Sequence, residues 1–224
     1  MNRKFRIKDY LPVVIMLCAA VGVLILTSTG KIDIKRIPEI AQDNKGVAVI
    51  IIMGLFALKG VSGVIVYDAL VLAIAMIFPT WETIVLTLIG TIITLSISYF
   101  MGTAINTEQL KAKIEENPKL SRYYWMAEKY GAAANAILHL MALSMELLGM
   151  LFGALKLGYI KYLLSALLGM LPNIFSFIFI GKNPDIHSPS LWIMIAVYAG
   201  FIVAAFLYAK RLAKKNRQEQ DRYD

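Results

Sequence analysis

Residues 131–160 read Gly-Ala-Ala-Ala-Asn-Ala-Ile-Leu-His-Leu-Met-Ala-Leu-Ser-Met-Glu-Leu-Leu-Gly-Met-Leu-Phe-Gly-Ala-Leu-Lys-Leu-Gly-Tyr-Ile. The stretch is nearly all apolar, yet it carries His139, Glu146 and Lys156. One transmembrane helix needs about 20 apolar residues, so this is too long for a single simple span. It is also too charged to face lipid, because an ion near the bilayer centre costs about 3 kcal/mol or more. Both facts fit a helix–break–helix that enters the membrane and turns back. Irregular backbone at that depth survives only where protein or a watery cavity shields it. Gly46–Trp81, interrupted by Lys59 and Asp68, reads the same way.

Four runs without Asp, Glu, Lys or Arg surround these elements: Tyr10–Gly30, Thr83–Thr107, Tyr162–Gly181 and Ile186–Ala209. Each is long enough to cross about 30 Å of hydrocarbon as a helix. The whole 224-residue chain is 58% apolar and 17% charged, with a mean hydropathy of +0.65. Soluble domains run about 45–50% apolar and about 25% charged, so a soluble, disordered or fibrous chain is excluded. The single cysteine, Cys18, forbids an internal disulfide and reads as a small buried hydrophobe. The expected fold is all-α: a polytopic membrane protein with two re-entrant elements and about four full spans.

The N-terminal Met-Asn-Arg-Lys-Phe-Arg-Ile-Lys leads into the first apolar run, as in a signal peptide. The run is long and lacks an Ala-x-Ala cleavage pattern, which predicts a retained first span. Lys and Arg in the loops set the orientation. With four spans and two re-entrant elements, fifteen fall on the side of both termini and five on the other. The expected location is a bacterial plasma membrane with both termini cytoplasmic. Six full spans would place both ends inside as well.

The halves repeat. Leu88-Ile-Gly-Thr-Ile92 aligns with Leu167-Leu-Gly-Met-Leu171, and Gly90 to Gly102 and Gly169 to Gly181 are both twelve residues. Asp68 precedes Gly90 by 22, and Glu146 precedes Gly169 by 23. Under the topology above the two halves enter from opposite sides, so the pattern predicts an inverted repeat. Interrupted segments at corresponding positions point to a midplane transport site. The expected organisation is a basic N-terminus and first span (1–30), repeat 1 (46–107), a loop (108–130), repeat 2 (131–181), a last span (186–209) and a basic tail (210–224). In the loop, Pro118 suits the first position of a helix. Tyr123, Tyr124 and Trp125 beside basic residues read as an interfacial amphipathic helix.

These residues resemble the DedA/VTT superfamily, the SNARE-associated Golgi proteins. Glu146-Leu-Leu-Gly-Met-Leu-Phe-Gly153 followed by Leu-Leu-Gly169-Met-Leu-Pro172 is similar to the family's acid–apolar–Gly element and Gly-x-x-Pro span. Lys59 to Gly102 matches more loosely, with Ile77-Phe78-Pro79 placed near a re-entrant tip. The resemblance implies inverted repeats, two re-entrant elements and membrane lipid transport, of polyprenyl-phosphate carriers or phospholipids. Where the family commonly carries an Arg seven or eight residues before the second acid, this chain has His139.

Asp68 and Glu146 are the sharpest site candidates. A carboxyl at depth can load and release a proton, which suits coupling to a gradient. Alternatively each is a structural acid paired with Lys59 or Lys156. Lys59 and His139 could meet a phosphate, or His139 could be a hydrogen-bonded interior side chain. Lys156 and Lys161 read as snorkelling to headgroups. Gly90, Gly102, Gly153, Gly169 and Gly181 read as close-packing positions, and Pro172 as a kink.

The leading function is a lipid transporter or scramblase. The competing ones are a proton- or cation-coupled exporter of small solutes and a non-transporting membrane organiser. Neither His-Glu-x-x-His, a P-loop nor Gly-x-Ser-x-Gly occurs, so an enzyme is not expected. No cofactor, metal or nucleic-acid partner is expected. Membrane lipids are, with room for a homo-oligomer.

Overall fold

The computed structural model describes residues 43–105, 118–141, 143–183, 185 and 187–220, with Cys18 and Val21. Apart from those two residues, of which Cys18 is exposed rather than buried as expected, the expected first span at Tyr10–Gly30 lies outside the described residues, as do 106–117 and 221–224. The described residues form eight helices and no strand: α1 (Lys45–Ser62), α2 (Tyr67–Ile77), α3 (Thr80–Thr103), α4 (Pro118–Tyr130), α5 (Ala132–Leu140), α6 (Met145–Ala154), α7 (Tyr159–Lys182) and α8 (Pro189–Gln220). Among the described residues four stretches are long and apolar enough to cross a membrane: α1, α3, α7 and Leu191–Arg211 of α8. Three of them correspond to expected spans. The fourth, α1, is the first arm of the expected re-entrant element.

Local chemistry sets the breaks. Asn44 caps α1 by accepting from Val47 N at 3.2 Å. Gly63, at φ +65°, ends it with its N–H on Lys59 O at 2.8 Å. That left-handed conformation suits a residue without a Cβ. Ser144 caps α6. At the far end of α6, Leu157 N reaches Phe152 O at 3.1 Å and Lys156 N reaches Gly153 O at 3.0 Å. These two bonds form a Schellman motif, with Lys156 held at φ +54°.

Side-chain bonds give the directions. Lys45 Nζ meets Glu82 Oε1 at 2.7 Å, Thr94 Oγ1 donates to Phe56 O at 2.8 Å, and Ser98 Oγ donates to Gly60 O at 3.3 Å. So α1 runs along α3 in the same direction. Then α2 returns: it starts at Tyr67, whose hydroxyl meets Thr91 Oγ1 at 2.7 Å. It ends at Phe78, whose carbonyl accepts from Thr83 Oγ1 at 3.1 Å. The α1–α2 hairpin therefore begins and ends beside the start of α3.

The second half repeats this. Asn135 Nδ2 donates to Tyr162 O at 2.8 Å, and Gly169 packs on Ala136 and His139, so α5 runs with α7. Then α6 returns, and Gly131 lies beside Leu157, the two bases of the hairpin. The units run oppositely. Tyr159 OH meets Ser96 Oγ at 2.8 Å and Tyr99 OH donates to Leu157 O at 2.5 Å. At the other end Lys182 Nζ donates to Phe78 O. The hairpins thus enter from opposite ends of the bundle.

Gly90 and Gly102 are residues 11 and 23 of the 24-residue α3, and Gly169 and Gly181 are residues 11 and 23 of the 24-residue α7. A Cβ on Gly90 would collide with the Phe56 ring of α1, and one on Gly102 with the Met150 backbone of α6. A Cβ on Gly169 would collide with the Ala136 carbonyl of α5, and one on Gly181 would come within 2.6 Å of Ala75 Cβ of α2. Each long helix therefore holds the first arm of its own hairpin and the returning arm of the other. Gly153 seats α6 on the Tyr99 carbonyl in the same way. Tyr99 and Tyr162 stack at 4.9 Å between α3 and α7. Small residues at such contacts let backbones approach.

One expectation changes. The tip of the first hairpin lies at Gly63–Val66, not near Ile77-Phe78-Pro79, which is its base; Pro79 there caps the start of α3. Beyond Ala209, the expected end of the last span, helix α8 runs on to Gln220. Pro118 does open α4, whose Tyr124, Met126 and Ala127 are buried. Within α7, Pro172 is accommodated without ending the helix.

Candidate functional site

The two hairpin tips meet. A Cβ on Gly63 would lie 3.7 Å from Glu146 Cγ. Between the tips lies a cavity of about 270 Å³, whose walls include Lys59, Asp68, His139, Glu146, Met170 and Asn173. The four transport-site candidates, Lys59, Asp68, His139 and Glu146, therefore line one space.

Lys59 Nζ and Glu146 Oε1 are 2.5 Å apart, with both side chains 6% exposed. Glu146 Oε2 accepts from Ser144 Oγ at 3.0 Å. The helix ends favour this arrangement: Lys59 is in the last turn of α1 and Glu146 in the first turn of α6. Cations suit the negative end of a helix and anions the positive end. The pair bridges the two halves. Of the partners weighed for Glu146, the structure selects Lys59 over Lys156.

Asp68 occupies the first turn of α2 and is partly buried. It has no ion pair among the described residues. Asn173 Nδ2 reaches Asp68 Oδ1 at a long 3.5 Å and the Tyr198 hydroxyl at 2.6 Å. His139 is buried, with Nδ1 2.9 Å from the Asn135 carbonyl. A carbonyl only accepts, so Nδ1 carries the proton. Among the described residues His139 Nε2 and Asn173 Oδ1 have no partner.

Asn173, Ser144 and Tyr198 belong to the site but were not singled out from the sequence. Asn173 was discoverable: it is an amide inside an uncharged span, where polar side chains are costly. Ser144, two residues before Glu146, carried the signal of a helix cap. The repeat glycines scaffold the site from outside the cavity. Lys156 and Lys161 line a separate space near the start of α7, and His187 is exposed.

Opposed helical hairpins, long apolar helices and a buried polar centre define a multi-pass α-helical membrane protein. The family model of the VTT domain matches residues 65–183. The chain belongs to that family, the DedA/SNARE-associated Golgi family. No curated protein and no solved structure matches the chain at a significant level.

Proposed function

We propose that this protein moves lipid across the membrane as a transporter or scramblase. The observation that carries the reading is the buried Lys59–Glu146 pair at the meeting point of two opposed hairpins. A scaffold gains nothing evident from placing charges at such depth. A pair that joins the two halves is instead a place where one half can move against the other around a polar centre, as in transporters built from inverted repeats. Protonation of Glu146 would release Lys59 and let the tips part; the same step couples movement to a proton gradient. A cavity of about 270 Å³ suits a headgroup, with acyl chains left in the bilayer. The reading assigns no bond-making step to the site. The end carrying α4, Lys210 and Arg211 is taken as cytoplasmic, from the excess of basic residues there.

Reconstitution in liposomes with tail-labelled lipids, a polyprenyl phosphate included, and an impermeant quencher tests it. Wild type is expected to expose inner-leaflet label rapidly, and Glu146→Gln to do so much more slowly. If wild type matches empty liposomes with and without a pH gradient, lipid movement is refuted. Small-solute exchange is then the reading to take up, since the cavity is also of that size.

A further inference from the structure

The cavity between the tips has one lysine, Lys59, and two acids, Asp68 and Glu146, in its wall. With both carboxyls ionised the charges do not balance, and an uncompensated charge at depth is costly. One proton removes the imbalance, and His139 has a place for it. Its Nδ1–H is spent on the Asn135 carbonyl. Its Nε2 has no partner among the described residues, in a side chain only 4% exposed. A charged ring would leave a buried N–H without an acceptor there, so the ring is neutral in this conformation. The four side chains interact in a row. Lys59 holds Glu146 at 2.5 Å and acts through space on Asp68, while Glu146 acts in turn on His139. Lys59 spends one of its three N–H donors on Glu146.

The geometry points to His139 as the proton-loading group of this centre, whose charging exchanges one ion pair between the halves for one within each half. A proton from water binds Nε2. Glu146, still ionised, turns from Lys59 to the new imidazolium, and Lys59 passes to Asp68. No other bond is made or broken, and two cations then face two acids. Lys59 and Asp68 belong to the first hairpin, His139 and Glu146 to the second. The exchange therefore removes the bridge between the hairpins and frees the tips to part. The titratable groups around His139 are Glu146 of α6 and Tyr162 of α7, whose ring centroid is 6.2 Å away. Across the cavity stand Lys59 of α1 with Tyr67 and Asp68 of α2. Helices α4 and α8 also pack on α5 but bring no described side chain to the cavity wall. The exchange deepens the lipid-transport reading by assigning its proton to His139 rather than to Glu146. It rests on that reading only for what the parted tips admit.

The test uses the purified full chain in nanodiscs with isotope-labelled histidine. The chain has two histidines, so a His187→Gln background leaves the His139 signal alone. Between about pH 8 and about pH 5, the window of histidine titration, the ring nitrogens are expected to pass from the neutral Nδ1–H tautomer to imidazolium. Infrared difference spectra over the same window are expected to show no protonated carboxyl that Glu146→Gln removes. Asp68→Asn, which keeps the shape but removes one of the two acids, is expected to weaken proton binding at His139 about tenfold. In the liposome assay wild type is expected to move lipid faster as the ring charges, and His139→Gln to be slow throughout the window. A ring that stays neutral overturns the proposal, and an infrared band lost in Glu146→Gln then places the proton on Glu146. A His139 titration that Asp68→Asn leaves unchanged overturns it as well. If the ring charges as expected but no lipid moves at any pH, the exchange stands and lipid transport falls. Lipid movement with the ring neutral throughout does the reverse.

Discussion

Glu146 and Asp68 hold the same place in their hairpins, the second residue of the returning arm, yet among the described residues only Glu146 has a cation. Lys59 crosses from the opposite hairpin to meet it, 87 residues away in the chain. The corresponding place in the second hairpin holds His139, which bonds its own helix instead. The centre is thus asymmetric: one acid is paired and the other is open to the cavity.

That asymmetry predicts the outcome of a mutant cycle. Removing one member of a buried pair leaves an uncompensated charge and costs about 3–5 kcal/mol, whereas replacing both by apolar groups is often near neutral. Lys59→Met alone and Glu146→Leu alone are expected to lower thermal stability sharply. The double variant should recover most of the loss. Additive losses would mean that the two side chains do not stabilise one another in the membrane.

The glycine register predicts a position-specific tolerance. Gly102→Ala and Gly169→Ala each place a methyl group against backbone of a neighbouring helix, Met150 and Ala136 respectively. Backbone cannot yield as a side-chain end can, so each should cost about 1–3 kcal/mol through overpacking. Gly54, whose Cβ would meet nothing within 4 Å, is the control: Gly54→Ala should be neutral or stabilising by up to about 1 kcal/mol. The fraction of monodisperse protein after heating in detergent measures the series. Equal behaviour of the three variants would refute the packing.

That each hairpin breaks was legible because charge interrupts its apolar run; where the first one turns was not. A lysine or carboxylate cannot sit in lipid, so Lys59, Asp68 and Glu146 marked buried places before any coordinates did. The twelve-residue glycine spacing likewise showed that the two long helices are built alike. Which acid receives Lys59 was not legible. Chain spacing favours Asp68, nine residues on, but the turn at Gly63–Val66 redirects the chain and only the opposed hairpin brings Glu146 within reach. The looser match of the first half to the family drew the tip toward Ile77–Pro79, whereas Pro79 caps the start of α3. Asn173 escaped because it is uncharged, and a search for charges passes over an amide.

Opposed entry of the hairpins predicts sidedness. In a Cys18→Ser background, Trp81→Cys and Asp185→Cys sit at one end of the bundle, by the start of α3 and the end of α7. Ala104→Cys and Lys156→Cys sit at the other. All four positions are exposed. A membrane-impermeant thiol reagent should label the first two from one side of sealed vesicles and the last two from the opposite side. Labelling of Trp81→Cys and Ala104→Cys from the same side would mean that α3 does not cross.

Lys156 offers the last test, of backbone rather than charge. It holds the left-handed position of the Schellman motif that ends α6, with φ at +54°. A side-chain-bearing residue there costs about 1–2 kcal/mol relative to ordinary helical backbone, and glycine is the usual occupant. Glycine also loses more freedom on folding, which offsets about 0.5–1 kcal/mol of the gain. Lys156→Gly should therefore leave stability unchanged or raise it by about 1 kcal/mol, although it removes a charge. Lys156→Val, which keeps the Cβ and adds branching, should lower it. If Lys156→Gly is strongly destabilising while Lys156→Val is not, the side chain and not the turn is what matters. Its expected reach to the headgroups would then be a structural anchor of the second hairpin.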